Sequence, residues 1–102
     1  MKPMLVAFIS VFAASTAVAD INITPQQADQ LAKAGTIKPL AELENKAKNQ
    51  VKGTTVIYSN IEQDDDTGVY EYEAKVQDAQ NKLWEIQINA QTGAIVEVEL
   101  DD

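Results

Sequence analysis

The chain is predicted to fold as an α+β domain, with one or two N-terminal helices packed on one face of a four-stranded antiparallel β-meander. Three observations predict it. Apolar residues recur at helical spacing up to Val51 and at every second position after Thr54. Three polar turns divide the alternating region into four short runs. The helical stretch precedes all the strands, and helices segregated from a run of strands form their own layer on one sheet face.

The first helix starts at Ile23-Thr24-Pro25-Gln26-Gln27. Thr24 is a capping residue, Pro25 suits the first helical position, and Gln27 stands where it can bond back to the cap. Ala28 and Leu31 continue one face, and Gly35 stops the helix. The second helix begins near Pro39. Leu40, Leu43, Ala47 and Val51 form its apolar stripe, the side that packs on the sheet, and Lys52-Gly53 close it. Glu42 and Lys46 stand four apart on its polar side.

The strands follow. Thr54 to Ile61 is rich in β-branched residues. Val69 to Val76 sets Tyr70, Tyr72, Ala74 and Val76 against Glu71, Glu73 and Lys75. Leu83 to Asn89 sets Trp84, Ile86 and Ile88 against Glu85 and Gln87. Ala94 to Leu100 sets Val96, Val98 and Leu100 inward and Glu97 and Glu99 outward. One apolar and one polar face per strand describes a sheet with one side in water. The turns are Gln63 to Gly68, Asp78 to Asn81, and Gln91-Thr92-Gly93.

Residues 1–19 read as a cleaved secretory signal peptide rather than part of the fold. Lys2 supplies the positive start, Met4 to Ala14 is almost wholly apolar, and Ala17-Val18-Ala19 is a small-x-small cleavage site. The apolar run is shorter than the roughly 20 residues that span a bilayer. The expectation is an exported protein, periplasmic or secreted in a bacterium, with no stable membrane insertion after cleavage. Cleavage leaves a single domain, residues 20–102. It holds all 16 acidic residues against seven lysines, a net charge of −9. Such a surface repels phosphate backbones and anionic headgroups, which argues against nucleic-acid binding. No cysteine is present, so packing alone must hold the domain.

Catalytic chemistry is mostly excluded by composition. The chain has no His, Cys or Arg, which removes the usual zinc ligands and the usual base for Ser59. Asp66-Thr67-Gly68 is the tripeptide of aspartic peptidases, where two carboxylates share a proton. There it follows an apolar strand; here it follows Asp64 and Asp65, in a run too charged to bury. Asp64, Asp65 and Asp66 are weak candidates for binding a divalent cation. The calcium-loop pattern fails, because Gly68 falls at the fifth position and Lys75 at the twelfth. Tyr58, Tyr70, Tyr72 and Trp84 at strand spacing are read as core rather than as a stacking platform. No catalytic residue, metal site or cofactor is assigned.

Several phrases carry a family likeness. Tyr70-Glu71-Tyr72-Glu73-Ala74 is followed by Leu83-Trp84-Glu85-Ile86 and then by Asn89-Ala90-Gln91-Thr92-Gly93-Ala94-Ile95. Upstream stands Ala34-Gly35-Thr36-Ile37-Lys38-Pro39-Leu40. In order and spacing these resemble the PepSY domain, a module named for peptidase propeptides and a spore-associated protein. Two departures touch turns only: Asn89 replaces the usual Asp, and Ala79-Gln80-Asn81 replaces an Asp-Gly turn. The resemblance implies an exported, non-catalytic module that contacts other proteins, with a peptidase or a sensor ectodomain as the partner class. It brings no catalytic residues. The expected interaction face is the polar side of the sheet, Glu71, Glu73, Glu85, Gln87, Glu97 and Glu99. An edge strand is the other open choice. The alternatives are an acidic envelope protein responsive to divalent cations and, third, an aspartic-type peptidase acting through Asp66. The oligomeric state is not legible.

Overall fold

A computed structural model describes residues 20–52 and 55–101 of the chain. The expected leader, residues 1–19, lies outside the described residues, as do Gly53 and Thr54, where the second helix was expected to stop and the first strand to start. The element order is β1 (Ile21–Ile23), α1 (Pro25–Lys33), α2 (Leu40–Lys48), β2 (Thr55–Gln63), β3 (Tyr70–Gln77), β4 (Leu83–Asn89) and β5 (Ile95–Leu100). The strands form one sheet in the order β1-β2-β3-β4-β5, antiparallel at every step. The α+β class holds, with five strands in place of four. The added strand, β1, is three residues long, too short to show a period. It exists because β2 runs on to Gln63 and offers Ile61, Glu62 and Gln63 for pairing.

Both helices form where their caps allow. Thr24 Oγ1 accepts from Gln27 N at 3.1 Å, and Thr24 N donates to Gln27 Oε1 at 2.9 Å, a complete capping box. Pro39 occupies the N-cap of α2. That helix ends at Lys48 rather than continuing to Lys52, and Val51 lies past its end, half-buried against the core. Asn49 and Val51 are poor helix formers, and the Asn49 amide bonds back to the carbonyls of Asn45 and Ala47 to tighten the last turn.

The core lies between the helices and β2–β4. Ala28, Ile37, Leu43 and Ala47 pack on Ile61, Tyr72, Ala74, Val76, Ile86, Ile88 and Ala90. The α1–α2 loop is pinned to the sheet where Lys38 N donates to Ala90 O at 2.7 Å, which fixes Ile37 inside. The Tyr72 hydroxyl is buried beside Ser59 without a well-formed hydrogen bond.

Three expectations about facing are corrected. Val96, Val98 and Leu100 were expected inward, yet all of β5 is exposed. The register sets Val98 opposite Ile86 and Leu100 opposite Trp84, so they do lie on the helix side. However, α2 lies over β2, β3 and β4, and α1 sits beside it toward β1. A bulge at the start of β5 also breaks the alternation: Ile95, not Val96, stands opposite Ile88. Tyr58 is not in the core. A bulge between Val56 and Tyr58 turns it to the open side opposite Lys75, 51 % exposed. Trp84 is half-buried at the core margin, and its indole Nε1 donates to Asp78 Oδ2 at 2.9 Å.

Candidate interaction surface

Strand pairing decides what the helix-free side of the sheet displays. Across the strands the rows read Asn22, Glu62, Glu71 and Asn89; then Asn60, Glu73, Gln87 and Glu97; then Tyr58, Lys75, Glu85 and Glu99. Asp101 continues the β5 pattern, its amide donating to Leu83 O at 2.8 Å. All six residues of the expected face, Glu71, Glu73, Glu85, Gln87, Glu97 and Glu99, therefore stand on one side. Glu62 and Asp101 join them. Neither was foreseen, because the first strand was expected to end at Ile61 and the last at Leu100. The alternation Asn60, Glu62 was the available signal for the first.

The electrostatics are those of crowded like charges. Lys75 is the single base in these rows, and its Nζ is held by Asp101 Oδ2 at 2.6 Å. Glu73 and Glu85 are diagonal neighbours. A hydrogen bond between them, then burial, then repulsion from Glu85, Glu62 and Glu71 push the Glu73 carboxyl up to about 7. Burial, followed by repulsion from Glu62, raises Glu71. Repulsion from Glu97 raises Glu99. At one end Asp20, Glu62, Asp64 and Glu71 line a shallow groove with Thr67 and Val69.

Of the weak cation candidates Asp64, Asp65 and Asp66, Asp64 has a structural occupation. Asp64 Oδ1 accepts from Asp66 N at 2.8 Å and Thr67 N at 3.0 Å, and these bonds hold its carboxyl below the usual range. Gly68 N donates to Asp64 O at 2.8 Å, with Gly68 at φ +76°. The turn into β5 is built the same way. Asn89 Oδ1 accepts from Gln91 N at 2.9 Å and Thr92 N at 3.1 Å, Gly93 N donates to Asn89 O at 2.7 Å, and Gly93 has φ +81°. In both turns the Thr hydroxyl accepts from the amide two residues on. Asp64-x-x-Thr67-Gly68 and Asn89-x-x-Thr92-Gly93 are one turn design used twice. This gives Thr67 and Gly68 a part in the turn, with Asp66 contributing its amide, and lets Asn89 fill the place of Asp64, since either side chain supplies the acceptor. The middle turn does likewise. Asp78 Oδ1 accepts from Gln80 N and Lys82 N, while Asn81 takes the left-handed conformation at φ 63°, which Asn tolerates.

Elsewhere the chemistry is sparse. Ser59 lies on the helix side of β2, in a cleft with Leu40, Ala41, Glu44 and Tyr72. Among the described residues no group of three or more Asp, Glu, His or Cys side chains is placed to hold a metal ion. No helix among them is long and apolar enough to cross a membrane.

Comparison with known proteins agrees with this architecture. The model of the peptidase propeptide and YPEB domain, PepSY, matches residues 37–99, which take in α2 and strands β2–β5 almost to the end of the sheet. The matched segment leaves out β1 and α1. No curated protein and no solved structure matches the chain. With more than half of its 102 residues under the family model, the chain belongs to the PepSY family.

Proposed function

We propose that this domain is a non-catalytic module of the bacterial envelope that acts by contact with another protein, a peptidase or the ectodomain of a sensor. The observation that carries the reading is the open side of the sheet. Glu62, Glu71, Glu73, Glu85, Glu97, Glu99 and Asp101 converge there around Lys75 alone. Crowding like charges in this way costs stability, so the arrangement is more readily understood as a surface kept for a partner than as one selected for folding. Such a face favours a positively charged counterpart and speeds its encounter. The export reading rests on Lys2, the apolar run and Ala17-Val18-Ala19.

The test is site-specific photocrosslinking in the native envelope. A crosslinking amino acid at Gln87 or Glu97 samples the open face, and one at Asp29 samples the outer side of α1. Adducts to a peptidase or sensor ectodomain from the sheet positions and none from Asp29 are expected. Equal capture from all three positions, or none from the sheet, would sink the proposal. An Asp66→Asn variant is expected to behave as wild type throughout, since Asp66 belongs to a turn. Loss of a peptidase activity in that variant would favour the catalytic alternative.

A further inference from the structure

We infer that the outer edge of β5 is a docking strand for an extended segment of a partner protein in which apolar residues alternate with lysine or arginine. The inference rests on the contact reading above and names where and what that contact is.

The backbone comes first. Asp101 N donates to Leu83 O, which makes Leu83 and Asp101 a hydrogen-bonded pair. Hydrogen-bonded and non-hydrogen-bonded pairs alternate along an antiparallel ladder. Glu85/Glu99 and Gln87/Glu97 are therefore hydrogen-bonded pairs too, by the register of β4 and β5. The N–H and C=O groups of Val98 and Leu100 consequently point away from the sheet, and β5 is the last strand in the order. An added strand finds two residues' worth of free donors and acceptors there.

The side chains define what such a strand must carry. On the helix side Ile95, Val98 and Leu100 are 37–40 % exposed, an apolar row beyond the strands that α2 covers. On the open side Glu97 and Glu99 form the outermost row of the acidic face, with Glu85 behind them. A sixth strand sets alternate side chains on these two sides. One set meets the apolar row and the other meets the glutamates, which calls for an apolar/basic alternation.

The same charges argue against a second copy. Two β5 edges pairing with each other bring Glu97 and Glu99 of each chain together, and like charges opposite one another are destabilising. β5 carries no Lys and no Pro, the residues that most often blunt a free edge. Its glutamates deter self-pairing while leaving a basic segment welcome. The opposite edge is less suited: β1 is three residues long.

The test uses the ¹⁵N-labelled protein as the cell processes it, with three capped octapeptides: alternating Val-Lys, alternating Val-Glu, and a four-Val block followed by a four-Lys block. The readout is amide hydrogen exchange at Val98 and Leu100. The alternating Val-Lys peptide is expected to slow both amides by about tenfold or more, with the effect weakening in salt. The block peptide and the Val-Glu peptide are expected to leave them fast. Val98→Pro is expected to fold, because its N–H faces solvent on an edge strand, and to lose the protection. If that variant does not fold, the Glu97→Lys/Glu99→Lys double variant serves instead and should prefer the Val-Glu peptide. Equal protection by all three peptides, or shifts spread over the acidic face with no slowing at Val98 and Leu100, overturns the inference. Protection that rises with protein concentration in the absence of peptide also overturns it, in favour of self-association. The peptides replace the cellular partner, so failure here leaves the crosslinking result standing, and failure of the crosslinking leaves the peptide result standing.

Discussion

β3 and β5 carry nearly the same alternation of apolar and acidic residues and end in opposite environments. β3 buries Tyr72, Ala74 and Val76 completely, whereas β5 buries nothing. Their composition does not separate them. Their place in the sheet does: β3 is central and lies under α2, while β5 is an edge that the helix layer does not cover. Alternation therefore tells which side of the sheet a residue takes, and the layer above decides whether that side is dry. In β5 an exposed apolar row and the outer backbone edge of the sheet stand together on a strand that adds little to the core.

The largest expected effect sharpens this contrast directly. Ile86 is fully buried under the helices and pairs across the sheet with Val98. Ile86→Ala should cost about 2–4 kcal/mol in a urea titration, enough to leave so small a domain marginal. A loss under ~1 kcal/mol would mean that the core is not centred on β3 and β4.

The next effect compares the two matching turns, one leading into each strand. Gly68 and Gly93 both sit at strongly positive φ, where a side chain is strained by roughly 1 kcal/mol. A Cβ on Gly68 meets only the far end of Gln63, at 3.8 Å. A Cβ on Gly93 comes within 3.2 Å of Lys46 Nζ, which donates to Gly93 O at 2.8 Å. Gly93→Ala should therefore cost about 2 kcal/mol against about 1 for Gly68→Ala. Equal losses would show that the turn into β5 is not docked on α2.

Acidity provides a third probe. Glu73 on β3 binds its proton more tightly folded than unfolded, with its pKa raised from 4.5 to about 7. Between those values the native state holds the extra proton, so stability falls as pH rises through the window. Acidification from pH 8 to pH 5 should raise the unfolding free energy by about 1 kcal/mol once solvent screening is allowed for. Glu73→Gln should flatten that rise. Asp64 and Asp78 have lowered pKa values and act in the opposite sense, so stability should fall again as pH drops below the ordinary aspartate range. A profile flat from pH 5 to pH 8 in the wild type would mean that the glutamates of the open face do not crowd one another.

The smallest effect belongs to β5. Val98→Ala should change stability by under about 0.5 kcal/mol, as exposed substitutions do. A loss matching that of Ile86→Ala would mean that something covers β5 in solution.

The sequence alone made the layer order, the capping box of α1, and the two faces of β3 and β4 legible, because capping and strand alternation are local rules read within a few residues. It also brought the six residues Glu71, Glu73, Glu85, Gln87, Glu97 and Glu99 to one expected face, since a period of two carries through register-matched strands. Its charge predicted an acidic surface. Tertiary structure alone decided the rest. β1 exists only through its pairing with β2. The bulges at Ile57 and Val96, which change how Tyr58 and Ile95 face, arise from register between strands. Whether Val98 and Leu100 are core or surface depends on where a helix more than fifty residues earlier in the chain comes to rest. Side of a sheet is a local property of the backbone; burial is a property of what packs against it.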